Sequence, residues 1–283
     1  LGADSVAVLE LIRARGAELV VHAGDFDYTD DPEAWAAQID GVLGADFPYL
    51  ITVGNHDRDR WPDYQAHVNA RLARQPQIAC EGDLGVNSAC RVGGVLFLLS
   101  GAGTLGRDHD AYLDDQLQRD GSPWRVCAWH KNRRALQVGG KGNEVPLVNY
   151  QVCHRHGAVI ATAHEHIYAR TRTLSDVGRQ TVDAAWPEAD RLRVAPGATF
   201  VFVSGLGGSS IRGQLRCTPL TFPYGCKGEW ASIYTDSQGA TYGALFITFH
   251  AGGDPRLARG EFVNVEGEVI DAFTVVSEVN PEG

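Results

Sequence analysis

The sequence predicts an α/β fold in which two β-sheets pack face to face with helices on their outer sides. Three observations predict it. From residue 4 to about 166, short apolar runs alternate with segments that repeat apolar residues at helical spacing, the pattern of strands and helices in turn. After about residue 195 the helical spacing gives way to Gly-punctuated apolar runs, as expected of antiparallel strands completing a second sheet. The chain has 283 residues, 44% hydrophobic and 21% charged, enough for a large core. No repeat, low-complexity tract or long linker divides it, so residues 1–283 read as a single domain.

The elements follow in order. "DSVAVLELIRARG" is a helix, with Val6, Val8, Leu9, Leu11 and Ile12 repeating at helical spacing, Asp4 or Ser5 placed to cap its start and Gly16 to stop it. "AELVVHAGD" is a short buried strand ending in a turn. "DPEAWAAQIDGVLG" is a helix with Pro32 in its first turn, where a missing N–H costs nothing. "FPYLITVGNHD" is a strand ending in a loop, and "PDYQAHVNARLARQ" a helix. The strand "GGVLFLLSGAG", the helix "DHDAYLDDQLQRD", the strand "WRVCAWH", the helix "VNYQVCHRHG" and the strand "AVIATAHEH" complete the alternating part. "ATFVFVSGLGG", "WASIYTD", "YGALFITFHAG" and "RGEFVNVEGEVIDAFTVV" are the later strands.

A formal charge of −10 argues against a dedicated nucleic-acid binder, which carries a basic face. It leaves room for a phosphorylated substrate, because a bound cation reverses the local field. No apolar run reaches the length of a membrane span. Cys80 and Cys90 flank "EGDLGVNSA", and Cys217 and Cys226 flank "TPLTFPYG"; both pairs are expected to close small disulfide loops. No cysteine spacing suits zinc, and an even count with close pairs favours an oxidising, secreted or extracellular setting. Cys127 and Cys153 either pair or stay free. The chain starts at Leu1 and contains no Met, so it reads as a processed or incomplete chain.

Four of the strands end in side chains that can hold a metal. "GDFDY" supplies Asp25 and Tyr28, "GNHD" supplies Asn55, His56 and Asp57, "AWHKN" supplies His130, and "ATAHEHIYAR" supplies His164 and His166. Each alone has an ordinary reading as a turn Asp, a satisfied buried His or a surface pair. Together they do not, because open α/β sheets gather ligands at the carboxyl ends of their strands. On a strand, residues i and i+2 face the same side, so His164 and His166 are expected to project together. Carboxylate, phenol, amide and imidazole without thiolate suit iron, manganese or zinc.

The series GDxxY, GNHD, a strand-ending His and HxHxYxR resembles the calcineurin-like metallophosphoesterases and, within them, the purple acid phosphatases. The likeness runs over residues 20–170 and matches at Asp25, Tyr28, Asn55, His56, His130, His164, His166, Tyr168 and Arg170. Ala163 and Ala169 stand where that pattern has Gly and Glu. The pattern's first motif, GDxG, is not in the chain; either its Asp, which the resemblance makes a terminal ligand of the first metal, lies upstream, the favoured reading, or the first metal site is incomplete. It also implies a two-sheet α/β/β/α sandwich of the metallophosphoesterase type. In that frame Asp25 bridges two metal ions, and Tyr28 and His166 bind the first, a ferric iron. Asn55, His130 and His164 bind the second, a divalent Zn, Fe or Mn, and His56 faces the substrate. Asp57 is expected to hydrogen-bond His56 and fix its orientation, so His56 and Asp57 are the candidate catalytic residues. The implied activity is acid-phosphatase-like hydrolysis of small phosphomonoesters, with phosphodiesters or nucleotides as the alternative on the same fold.

Two further readings compete. "GAGTLG" has the G-x-G-x-x-G spacing of a nicotinamide-dinucleotide loop, but the next strand, "WRVCAWH", lacks the acidic residue that would hold a ribose. A noncatalytic protein with a structural metal is the other. "GGKGNE" lacks the spacing of a phosphate loop, "GLGGSS" reads as a turn, and His22, three residues before Asp25, is a candidate supporting residue.

Overall fold

The computed structural model describes residues 2–279 and shows a mixed α/β architecture. Helix α1 (Ala3–Ala14) starts one residue before the expected caps. Ser5 caps it from inside the first turn, accepting from Gly2 N at 3.1 Å. Gly16, at φ +67°, ends it as expected. Strand β1 (Val20–Ala23) leads to α2 (Pro32–Leu43), where Asp31 accepts from Ala34 N and Pro32 opens the first turn. Then come β2 (Tyr49–Thr52), α3 (Trp61–Leu72), β3 (Ala79–Asp83), β4 (Asn87–Val92), β5 (Val95–Ser100), α4 (His109–Arg119) and β6 (Trp124–Trp129). They are followed by α5 (Leu147–Arg155), β7 (Val159–Thr162), β8 (Tyr168–Thr171), β9 (Leu174–Asp176), β10 (Thr181–Val182) and β11 (Arg191–Val194). The last strands are β12 (Val201–Ser204), β13 (Trp230–Tyr234), β14 (Gly243–Thr248), β15 (Leu257–Asn264) and β16 (Val269–Ser277).

An eight-stranded sheet runs β13-β8-β12-β7-β6-β5-β4-β3, and a four-stranded sheet runs β11-β16-β15-β14. The parallel pair β1-β2 and the small pair β10-β9 stand beside them. Strand β5 shows why the large sheet is covered on both faces. Val95, Phe97 and Leu99 enter one cluster, which reaches Phe273 and Val275 of β16 and Val8, Leu9 and Ile12 of α1. Leu96 and Leu98 enter a second cluster with Leu113 and Leu117 of α4 and Tyr150 of α5. Each such fully buried aliphatic side chain contributes about 1.5–3 kcal/mol, and a strand apolar on both faces has no solvent side.

Three expectations are corrected. The segment around "EGDLGVNSA" is not a bare loop but the hairpin β3-β4, with Cys80 opposite Cys90 in register; cross-strand pairing overrides the weak strand preference of its Gly, Asp and Glu. The change after residue 195 is not a clean switch to the second sheet. β12 and β13 join the large sheet, β12 pairing parallel with β7, and β11 enters the second sheet parallel to β16. The apolar run "FVFV" needs cover on both faces, which only the large sheet offers. The third concerns His164 and His166. Strand β7 stops at Thr162, and His164 takes the left-handed φ of +60°, so the pair lies in a turn beyond the strand. Cys80–Cys90 and Cys217–Cys226 are disulfides, and so is Cys127–Cys153, which ties β6 to α5. Among the described residues no helix is long and apolar enough to cross a membrane.

Candidate metal centre

Four loops meet at the carboxyl ends of β1, β2, β6 and β7. Two glycines let the first two touch. A Cβ on Gly24 would lie 2.6 Å from Gly54 Cα, and one on Gly54 would lie 2.1 Å from Asp25 N; neither approach tolerates a side chain. Asp57 locks the pair together. Its buried carboxylate accepts from Asp25 N at 2.8 Å, Phe26 N at 2.8 Å and Gly54 N at 2.7 Å. The expected hydrogen bond from Asp57 to His56 is therefore replaced by three backbone contacts, because a wholly buried carboxylate takes the amides that the tight turns leave open. Burial pushes the Asp57 carboxyl up to about 7, against the pull of the Phe26 and Gly54 amides. His56 is exposed. Its amide donates to Asp25 Oδ1 at 3.0 Å, and its ring stands 4.6 Å from that of Tyr28.

Three of the residues predicted as ligands lie close together. One ligand atom from each of Asp25, His130 and His164 lies within 4.8 Å of the other two. His130 Nδ1 is 2.7 Å from Ala23 O, a carbonyl that can only accept, so Nδ1 carries the proton. His130 Nε2 then stands 3.1 Å from Asp25 Oδ2 and 3.2 Å from Asn55 Oδ1. Three potential ligand atoms facing one another suit a cation, and a backbone-anchored Nδ1–H is how metal-binding imidazoles are oriented. The His164 ring packs 4.7 Å from that of His130. On the other side Tyr28 Oη is 3.1 Å from His166 Nε2, and His166 Nδ1 is 2.7 Å from Ser210 Oγ.

The electrostatics favour the ligating forms of Asp25, His164 and His166. Burial pushes the Asp25 carboxyl up, but the hydrogen bonds and charges of His130 and His56 outweigh it and hold it well below the usual carboxylate range. Burial lowers His164 strongly and His166 to about 4, with help from His130 and Arg212 respectively. Both imidazoles are thus neutral and ready to coordinate. Burial raises Tyr28.

Several site residues carried no signal in the sequence reading. Ser210, in the "GLGGSS" turn, orients His166. Glu144, in "GGKGNE", stands 3.1 Å from His164 Nε2 and 3.7 Å from Lys131 Nζ. Glu165, between the two histidines, points the other way and accepts from Gly140 N and Lys141 N. Arg212 donates to His164 O at 3.1 Å, bracing the same turn. None belongs to a spaced motif; only their place in three dimensions reveals them. His22, on β1, is partly buried and pairs with Tyr49 Oη at 2.9 Å. The tail of the histidine motif is structural. Arg170 binds Asp271 of β16 at 2.7 and 2.8 Å, and Tyr168 Oη binds the same carboxylate at 2.6 Å. The "GAGTLG" loop packs its glycines against protein backbone, a Cβ at Gly103 meeting Glu144 O at 2.5 Å.

This fold and this ligand constellation place the protein in a family: it belongs to the calcineurin-like phosphoesterases, whose model matches residues 3–168. Among solved structures it is similar to the purple acid phosphatase PPD1 isolated from yellow lupin (Lupinus luteus) seeds. The two share 17% identity at a TM-score of 0.66, over 96% of this chain and 49% of that one. It is also similar to PhoD, at 11% identity and a TM-score of 0.57, over 96% of this chain and 67% of that one. The chain thus spans about half the length of the lupin phosphatase, and at these identities the likeness is one of fold. Among curated proteins none matches the chain at a significant level.

Proposed function

We propose that the protein is a dinuclear metal-dependent phosphomonoesterase of the purple acid phosphatase kind. The observation that carries the reading is the convergence of Asp25, Asn55, His130 and His164, with Tyr28 and His166 alongside. In this reading Asp25 would be shared by the ions; Asn55, His130 and His164 would hold a divalent Zn, Fe or Mn; and Tyr28 and His166 would hold a ferric iron. Bound there, two cations supply an acidified water for in-line attack on phosphorus and neutralise charge on the phosphoryl oxygens.

The chain's own residues do the rest. Asp25, held ionised, keeps a full negative charge at the centre. Lys141 and Arg212 add positive charge around His166, which draws a phosphate to the rim of a protein of net charge −10. His56, exposed beside Tyr28, is placed to give a proton to the departing alkoxide as the ester P–O bond breaks. A small phosphorylated substrate and an oxidising compartment outside the cytosol complete the reading, the latter supported by three disulfides. The test is metal analysis of the purified protein together with hydrolysis of an aryl phosphate after addition of Fe with Zn or Mn. Retention of no metal, and no hydrolysis, would reject it; a colourless, zinc-only, active enzyme would reject the iron alone.

A further inference from the structure

A pocket of about 370 Å³ opens beside the histidine turn, lined by Gly140, Lys141, Glu165, Arg212, Gly213 and Leu215. None of the proposed metal ligands lines it. The turn itself joins the two places. Glu165 stands between His164 and His166 in the chain. Arg212 donates through its backbone N to His166 O at 3.0 Å and through Nη1 to His164 O at 3.1 Å. An anion seated in the pocket is therefore a different group from one on the metal ligands, yet only a turn of chain away from it. The volume falls in the range of small-ligand sites.

The cations of the pocket are accessible and in excess. Lys141 is partly exposed, and among the described residues its ammonium has no hydrogen bond or ion pair. The Arg212 side chain is 38% exposed. The one carboxylate, Glu165, is buried and already shared among Gly140 N at 3.1 Å, Lys141 N at 3.0 Å and Arg212 Nη1 at 3.4 Å. Arg216, next to Leu215, adds to the surplus. Its guanidinium rests on the Gln137 carbonyl at 2.9 Å, and burial and the charge of Arg134 lower it against the pull of Glu229. Cations that outnumber the carboxylates around them repel one another, and an anion placed among them relieves that repulsion. The surplus is local, since the whole chain carries a net charge of −10. A neutral leaving group gains nothing from the Lys141 ammonium, whereas a phosphate or carboxylate gains a charge-assisted hydrogen bond. Leu215, 71% exposed, gives the wall an apolar part for the carbon chain that links two anions.

We propose that this pocket holds a second anionic group, carried by the leaving group, so that the enzyme prefers small phosphomonoesters with a further phosphate or carboxylate at the far end of the alcohol. The inference rests on the phosphomonoesterase reading. Lys141 binds the second anion, and Arg212 adds charge while bracing the turn between the two places.

The experiment compares kcat/KM of the metal-loaded protein for straight-chain alkyl phosphates of three to six carbons. At each length the far end carries a hydroxyl, a carboxylate or a second phosphate. At the length that fits, the wild type is expected to favour the doubly charged ester by about tenfold or more, chiefly through KM. The preference should shrink as salt is raised. Lys141→Gln should bring the ratio close to one, and Lys141→Arg should restore most of it. The readout is a ratio, so it stands whatever either variant does to the singly charged ester, and the wild-type comparison needs no variant to fold. A preference shared by carboxylate and phosphate supports any second anion; one confined to either narrows the pocket to that group. Hydrolysis with no such preference at any length, or with a preference that Lys141→Gln leaves in place, would overturn the assignment of the pocket and spare the phosphoesterase reading. No hydrolysis of any ester would overturn both.

Discussion

Asp25, His130 and His164 stand on separate loops, yet each is braced. The amide of Asp25 is held by Asp57, the Nδ1 of His130 by Ala23 O, and the carbonyl of His164 by Arg212. Tyr28 is 44% exposed and meets His166 through one contact at 3.1 Å. The first set is organised by the fold itself, while in the second Tyr28 stands at the surface. Preorganisation of this kind makes geometry, and so affinity, insensitive to what else is bound. Under the proposed dinuclear reading, the difference teaches that the two sets should respond unequally to mutation and to metal removal.

The largest expected effect is Asp25→Ala. It removes the carboxylate common to both sets, and kcat/KM should fall by at least about 1,000-fold, with metal content falling in parallel by elemental analysis. His56→Ala should lower kcat by about 100-fold and leave metal content unchanged, with the steepest loss on esters of poor leaving groups. Asp57→Asn keeps the shape but turns an amide donor toward backbone donors. Metal affinity or activity should drop about 10- to 100-fold, and denaturant unfolding should show about 1–3 kcal/mol of lost stability. Tyr28→Phe should cost about tenfold or less while abolishing any visible charge-transfer band; a loss as large as that of Asp25→Ala would break the comparison between the two sets.

The smallest effect is a pH dependence of the metal-free protein. Burial lowers His22 to about 4, from an ordinary value of 6.5. Between these limits the unfolded chain binds a proton that the folded chain refuses, so stability falls as pH drops from about 6.5 to about 4 and this contribution levels off below that. Urea midpoints measured across that window should show the slope, and His22→Gln should reduce it, the remainder coming from His164 and His166, which burial lowers in the same direction.

The ligand residues were legible because each sits directly after an apolar run, and a strand end is a place that sequence can locate. The roles of Asp57 and Ser210 were not. Asp57 follows His56 in the chain and invites pairing with it, but the 24–26 turn presents two amides, of Asp25 and Phe26, and the next loop a third, of Gly54, that meet only in the folded loops. Helices α1 to α5 were readable from spacing and turn residues. Sheet membership was not, because β12 and β14 carry similar apolar runs and only the partner strands decide which sheet takes them. The pairing of Cys127 with Cys153 was open for the same reason: one residue belongs to a strand, the other to a helix on its face.

Arg170 is fully enclosed, and its counter-charge, Asp271, lies 101 residues further along the polypeptide. A guanidinium buried without that carboxylate would cost about 3–5 kcal/mol. During synthesis, therefore, the histidine turn next to Arg170 gains its full anchorage only once β16 has emerged from the ribosome and docked. Chains cut short before Asp271 would carry every proposed ligand present in this sequence and still lack a settled place to hold them, a built-in check that couples completion of the polypeptide to competence for loading.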